Sequence, residues 1–225
     1  MDGDQKTAII LGATGLTGGE LLHLLLDRPG YGSIKLFSRA SVGITHPKLK
    51  EYIGDLTQLE AFKDQFVADE VFCCIGTTKA KTPDKMKYRE IDFGIPVTAA
   101  RLSKENGIPT FVVISALGAN PSSKIFYNRT KGAMEQAVLE ANIGNTYILR
   151  PSLIAGDRKE WRLGEWLARQ FMRVLNLVLV GPLDKYRSID PETIARCMIW
   201  LANHTWEQRT ISSDEIRRIA AKNTD

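Results

Sequence analysis

Cysteine is scarce in this chain, with three residues in 225, and two of them, Cys73 and Cys74, are neighbours. An odd count with an adjacent pair makes no disulfide framework, and thiols inside an apolar run read as buried and reduced. Long hydrophobic runs are also missing. The most apolar stretches, residues 21–26 and 175–180, fall far short of the roughly 20 residues that cross a bilayer. The opening segment, Met1-Asp-Gly-Asp-Gln-Lys6, is polar and acidic and lacks the basic and apolar regions of a secretory signal. The only histidines, His23, His46 and His204, lie far apart without metal-ligand spacing, so no metal is expected. Neither charge sign dominates. The net charge of +4 suits anionic small ligands but is too mild to argue for nucleic acid without a clustered patch. The densest basic stretch, residues 79–87 with four lysines, reads as a solvated loop. These absences leave a soluble protein, expected in the cytoplasm, with a small molecule as its partner.

What is present alternates between short apolar runs and longer helical stretches. Residues 7–11 form an unbroken apolar run, as a parallel strand buried on both faces requires. A glycine-rich turn follows, then a helix over 16–27 that Pro29-Gly30 stops. Strands are expected at 34–37, 50–53, 70–75, 110–114 and 146–149. Between them, helices are expected at 58–65 with Thr57 as N-cap, at 88–106 with a kink or a fresh start near Pro96, and at 123–142. Six strands separated by helices imply an α/β, doubly wound parallel sheet, because parallel neighbours need crossover connections. After Pro151 the alternation weakens, with helices at 161–175 and 191–203, the latter capped by Asp190. With no linker or repeat, residues 1–225 read as a single dinucleotide-binding domain of Rossmann type. Residues 151–225 contribute a small substrate lobe.

The turn after the first strand reads Gly12-Ala-Thr14-Gly15-Leu16-Thr17-Gly18. Glycines there let the chain reverse tightly and let a pyrophosphate approach the backbone, while the helix N-terminus offers free N–H groups. The spacing differs by one residue from the strict dinucleotide fingerprint, and its strand–turn–helix context gives it weight. The second strand ends in Ser38-Arg39, where an NAD-selective site usually carries an acid. Arg39 can pair with a 2′-phosphate, so NADP(H) is favoured over NAD(H).

Tyr127 and Lys131 stand four apart on an expected helix, hence on one face. Ser115 follows the fifth strand, at the carboxyl edge where open α/β sheets bind ligands. A tyrosine with a pKa near 10 needs a neighbouring ammonium to serve as acid and base at neutral pH. A serine hydroxyl can hold the substrate oxygen where charge develops. Ser115 lies in Val-Ile-Ser-Ala-Leu, not in a G-x-S-x-G elbow, which argues against a hydrolase.

In these motifs, and in their order along nearly the whole chain, the sequence resembles the atypical short-chain dehydrogenases/reductases. It stands nearest the Tat-interacting-protein-like branch, with some likeness to NmrA-like proteins. The resemblance implies that Gly12, Gly15 and Gly18 line the pyrophosphate turn, bordered by Thr14, Leu16 and Thr17. It implies that Ser38 and Arg39 meet the adenosine ribose, that Asp55 and Leu56 meet the adenine, and that Ile75, Gly76 and Thr77 pass beside the cofactor. Lys131 would hold the nicotinamide ribose, Tyr127 act as acid/base and Ser115 orient the carbonyl, with Pro151, Ser152 and Leu153 near the nicotinamide. One departure is that the family's helix asparagine falls on Asp92. The short segment after Pro151 implies a substrate pocket that is small or completed by a second subunit or protein partner.

The leading reading is an NADP(H)-dependent oxidoreductase acting on a carbonyl or alcohol. An NAD-dependent sugar-nucleotide epimerase uses the same triad, but Arg39 and the short C-terminal segment count against it. A nucleotide-sensing regulator without turnover is the non-enzymatic rival, against which the intact triad argues.

Overall fold

A computed structural model describes residues 5–155 and 186–222 of the chain. Seven parallel strands among these residues form one sheet in the order β3-β2-β1-β4-β5-β6-β7. They are β1 (Lys6–Leu11), β2 (Tyr31–Ser38), β3 (Leu49–Ile53), β4 (Glu70–Cys73), β5 (Thr110–Ile114), β6 (Asn145–Arg150) and β7 (Thr210–Ser212). The helices are α1 (Leu16–Leu26), α2 (Lys85–Arg89), α3 (Ile95–Glu105), α4 (Phe126–Glu140), α5 (Pro191–Asn203) and α6 (Ser213–Ala220). The strand order reverses between β1 and β4, and at such a switch point the diverging connections open a crevice at the carboxyl ends of the strands. This is the doubly wound α/β fold expected from the alternation.

The central strands are buried on both faces, and their side chains alternate between two cores. Ala8 and Ile10 face a cluster with Leu21, Leu25, Ile194 and Met198, under α1 and α5. Ile9 and Leu11 face the other, with Ala99, Leu102, Met134 and Val138, under α3 and α4. At the amino end of the strands, away from the crevice, Glu70 is buried and accepts a 2.7 Å hydrogen bond from the Tyr31 hydroxyl. Tyr31 in turn accepts from Asn203 Nδ2 at 2.8 Å. Burial pushes the Glu70 carboxyl up, although its bonds to Lys6 and Tyr31 oppose that shift. This network ties β2 and β4 to the end of α5.

Several boundaries differ from the sequence expectation for local reasons. The segment after β3 is a 3₁₀ stretch, Leu56–Phe62, and its N-cap is Asp55, whose side chain accepts the Thr57 N–H. β4 ends at Cys73, two residues early, where the chain leaves the ladder for the crevice. The helix expected from 88 starts at Lys85, capped by Asp84, and passes through a π-helical turn, Glu90–Gly94, before α3. Pro96 explains the wider turn: its ring would collide with the carbonyl four residues back and it donates no hydrogen bond. α4 starts at Phe126 and not at 123, because Asn120 and Ser123 side chains accept the backbone N–H groups of Ser122 and Ile125. Such side-chain turns compete with the helix. The sheet gains a seventh strand, β7, followed by α6, whose capping box pairs Ser212 with Glu215. The helix expected at 161–175 and the stretch 156–185 of the expected substrate lobe lie outside the described residues.

Candidate active site

The crevice at the switch point is a cavity of about 1320 Å³. The β1–α1 turn forms one wall. Gly12 has φ +89°, and a Cβ there would stand 2.9 Å from the Cys74 carbonyl oxygen. A Cβ at Gly18 would fall 2.1 Å from the Gly12 carbonyl oxygen. These two glycines therefore let the turn fold onto β4 and onto α1, behind the surface that a ligand meets. Thr14, Gly15, Leu16 and Thr17 line the cavity itself. No side chain caps α1 and no acid lies in its first turn, so its N-terminal N–H groups and dipole remain available to an anion.

The opposite wall carries the hydroxyls and the lysine. Ser115, Tyr127 and Lys131 all line the cavity, together with Ile75, Gly76, Thr77, and with Pro151, Ser152 and Leu153. Ser115 follows β5, and its backbone N–H donates to the Leu149 carbonyl at 2.7 Å. Its Oγ is buried and has no hydrogen-bond partner. A buried hydroxyl normally finds a partner, and this one lies on the cavity wall. Tyr127, on the first turn of α4, is 39% exposed and stands at the rim, its ring edge-on to Tyr88 at 6.3 Å.

Lys131 is buried one helical turn further in. Its Nζ lies 3.0 Å from Asp92 Oδ1 and 3.5 Å from the Ile114 carbonyl. Burial alone would pull this ammonium down. The charges of Asp92 and Tyr127 outweigh it and hold the group above its ordinary value. Asp92 reaches Lys131 from the π-helical turn, and its other oxygen accepts the Thr77 N–H at 2.7 Å. One carboxylate thus fastens both Lys131 and the loop after β4. Tyr88 is buried beside it, and its hydroxyl donates to the Thr77 carbonyl at 3.3 Å. Burial, then the negative charges of Asp92 and Tyr127, push the Tyr88 phenol far up. Cys74 also lines the cavity, and burial pushes its thiol up.

The residues expected at the adenosine end stand apart from this lining. Ser38 is buried, its hydroxyl donating to the Ala40 carbonyl at 2.7 Å. Leu56 belongs to the core under α3. Arg39 and Asp55 are exposed just beyond the carboxyl ends of β2 and β3. The Thr57 backbone N–H and hydroxyl hold the Asp55 carboxyl below its ordinary value, with a smaller contribution from the Arg39 charge. A smaller neighbouring hollow joins Thr14 and His23 to Ser41, Val42 and Ile44 of the β2–β3 loop.

Asp92 and Tyr88 were not among the expected site residues. Asp92 carried a signal, since it holds the family's helix-asparagine position. Tyr88 carried none.

A sequence profile described as NAD(P)H-binding matches residues 12–164. The chain belongs to that NAD(P)H-binding family. Within it, the chain is an atypical short-chain dehydrogenase/reductase of the HTATIP2 branch. It is 33% identical over 180 residues to the protein FMP52, mitochondrial, of Candida albicans, covering 72% of this chain and 79% of that one. It is 32% identical over 171 residues to protein HTATIP2 of Rattus norvegicus, covering 74% of this chain and 70% of that one. Among solved structures, the Bordetella bronchiseptica enzyme WbmH in complex with NAD+ superposes with a TM-score of 0.70 at 14% identity. That match spans 92% of this chain and 74% of WbmH. A UDP-glucose 4-epimerase from Thermotoga maritima, solved with UDP-glucose, gives 0.68 at 15% identity, over 96% and 82% of the two chains. At such identities these likenesses establish the fold alone.

The relatives also correct one expectation. The FMP52 proteins of Candida albicans, Debaryomyces hansenii and Meyerozyma guilliermondii are named mitochondrial, against the cytoplasmic location expected from the sequence. That expectation rested on the missing secretory pattern and reduced thiols, and neither separates the cytosol from a mitochondrial location. No described helix is long and apolar enough to cross a membrane.

Proposed function

We propose that the protein is an NADP(H)-dependent oxidoreductase that interconverts a carbonyl and an alcohol, with Tyr127 as acid/base. The observation that carries this reading is one cavity lined by three features: the uncapped start of α1, the unpartnered Ser115 hydroxyl, and the Tyr127–Lys131 pair. The residues fit a dinucleotide. Its pyrophosphate finds a helix N-terminus without acids, and the cavity exceeds the roughly 300–1,000 Å³ of ordinary small-molecule sites. When bound, NADPH supplies the two reducing electrons and NADP+ accepts them in the reverse direction.

The chain's own groups account for the proton and the orientation. Ser115 Oγ donates to the substrate oxygen, which supplies the partner it lacks in the protein. Tyr127 gives a proton to that oxygen during reduction and takes it back during oxidation. Lys131 presents its ammonium near the Tyr127 hydroxyl and the cofactor ribose, and Asp92 holds it in that place. Arg39, exposed at the end of β2, pairs with the 2′-phosphate and sets the preference for NADP(H).

A fixed panel of aldehydes and ketones, with NADPH or NADH as reductant, tests the reading. Wild type should use NADPH about 10- to 100-fold better than NADH, as a charge-assisted contact to one phosphate allows. Arg39→Ala should remove that preference by raising KM for NADPH. Equal use of the two cofactors by wild type would sink the role of Arg39. Preference for NADH, unchanged in Arg39→Ala, would favour the epimerase reading.

A further inference from the structure

We infer that the substrate of this site is an anion, a carbonyl compound carrying a carboxylate or phosphate remote from its reacting carbon. The inference rests on the oxidoreductase reading above and names its substrate class. The lysine-rich stretch after β4, which reads in sequence as a solvated loop, is folded over the cavity. Thr82 N–H donates to the Thr78 carbonyl at 2.8 Å, and the hydroxyls of Thr77 and Thr82 meet at 2.9 Å. Asp92 anchors Thr77 from below. The pinned loop places Lys79 and Lys81 on the cavity wall, and Lys85 at the start of α2 joins them.

These three ammoniums are not balanced locally. Among the described residues none of them has an ion pair, and Lys85 Nζ lies only against the Phe126 ring, 5.8 Å from its centre. Two acids line the cavity among the described residues, Asp92 and Glu20. Asp92 is already paired with Lys131, and Glu20 lies on α1, on the wall of the glycine turn. The nearest acid in sequence, Asp84, caps α2 through the Lys87 N–H at 2.7 Å and is not part of the cavity lining, and its single charge offsets at most one of the three lysines. Among the described residues the cavity wall therefore carries an excess of positive charge on the side of the β4 loop.

A second feature points to the same ligand from its other end. The Ser115 hydroxyl is buried, unpartnered and on the cavity wall. Apolar side chains line the same cavity, Phe126 beside the Lys85 ammonium and the exposed Ile125 and Leu153. Taken together they describe an oxygen acceptor at Ser115 and Tyr127, an apolar body, and an anionic end held by lysines. Lysine suits this role because it acts as a mobile point charge that accepts carboxylate or phosphate without a fixed geometry.

The test compares wild type with Lys79→Gln/Lys81→Gln/Lys85→Gln. Three properties are read: NADPH affinity by fluorescence titration, calorimetric binding of probes to the NADP+ complex, and NADPH consumption. The probes are matched pairs, benzaldehyde with 4-carboxybenzaldehyde and dihydroxyacetone with its phosphate, so that carboxylate and phosphate are separated. Wild type should bind the anionic member of at least one pair about tenfold tighter or more, through KM where turnover occurs. The triple variant should lose that preference with NADPH affinity changed by less than about twofold. Equal binding of charged and uncharged members overturns the proposal. So does a triple variant whose affinity for NADPH falls as much as its affinity for the probe, since the lysines would then serve the cofactor. Anion binding that depends on the lysines, without consumption of NADPH, supports the anion site and rejects the oxidoreductase reading.

Discussion

Replacing Lys131 with Met should lower the unfolding free energy by about 3–5 kcal/mol at neutral pH, because it strands a buried carboxylate. Asp92 is fully buried and faces the Lys131 ammonium at 3.0 Å. The bond it accepts from the Thr77 N–H does not neutralise the charge. Adding Asp92→Asn to Lys131→Met should recover most of the loss, since an amide oxygen still accepts the Thr77 N–H and no charge is left unpaired. Urea denaturation of the three variants measures this, and equal stability of the single and double variants would contradict it. The pH dependence has a definite sign. The Lys131 ammonium titrates higher in the folded protein than its ordinary 10.5. Its contribution is therefore complete below pH 10.5 and disappears as the pH rises through the folded value. Wild type should lose stability more steeply than Lys131→Met as the pH rises through that value, the loss that remains in the variant coming from buried phenols and thiols whose titration is also raised.

Tyr127→Phe should lower kcat by about 10²–10⁴-fold, the range supplied by a positioned acid/base. NADPH affinity should stay within about twofold, because the hydroxyl acts on the substrate oxygen and not on the cofactor phosphates. The ring is edge-on to Tyr88 and remains so in phenylalanine, so the fold should be preserved. Ser115→Ala should cost about 10²–10³-fold, as loss of one donor to a developing oxyanion does. Steady-state kinetics beside a cofactor titration separates chemistry from binding. A Tyr127→Phe enzyme that keeps more than a tenth of wild-type kcat would remove Tyr127 from the proton transfer.

The parts of the molecule legible in the sequence are those set by neighbouring residues. The apolar run into Gly12 and the leucine-rich helix after it announce β1, the turn and α1 without tertiary information. Tyr127 and Lys131 share a helix face by spacing alone, and Ser115 marks a strand end. The partner of Lys131 was less legible. Asp92 meets it only because a π-helical turn ahead of Pro96 directs residue 92 into the site, and a kink expected at Pro96 does not say which way residue 92 then faces. Strand β7 is three residues long and offers too little pattern to read. The lysines after β4 have the composition of any solvated loop, and it is the Thr77–Asp92 bond and the Thr77–Thr82 contact that bring them to the cavity. Arg39 shows the opposite case: its sequence position is informative, yet its side chain stands outside the cavity lining.

Calorimetric titration of NADPH into wild type and Gly15→Asp tests most directly that the start of α1 holds the dinucleotide. Gly15 lines the cavity at the N-terminus of α1, and an aspartate there would oppose a pyrophosphate while favouring the helix dipole. The account predicts one NADPH per chain for wild type and affinity weaker by about tenfold or more in Gly15→Asp. No binding by wild type, or equal binding by both, would contradict it.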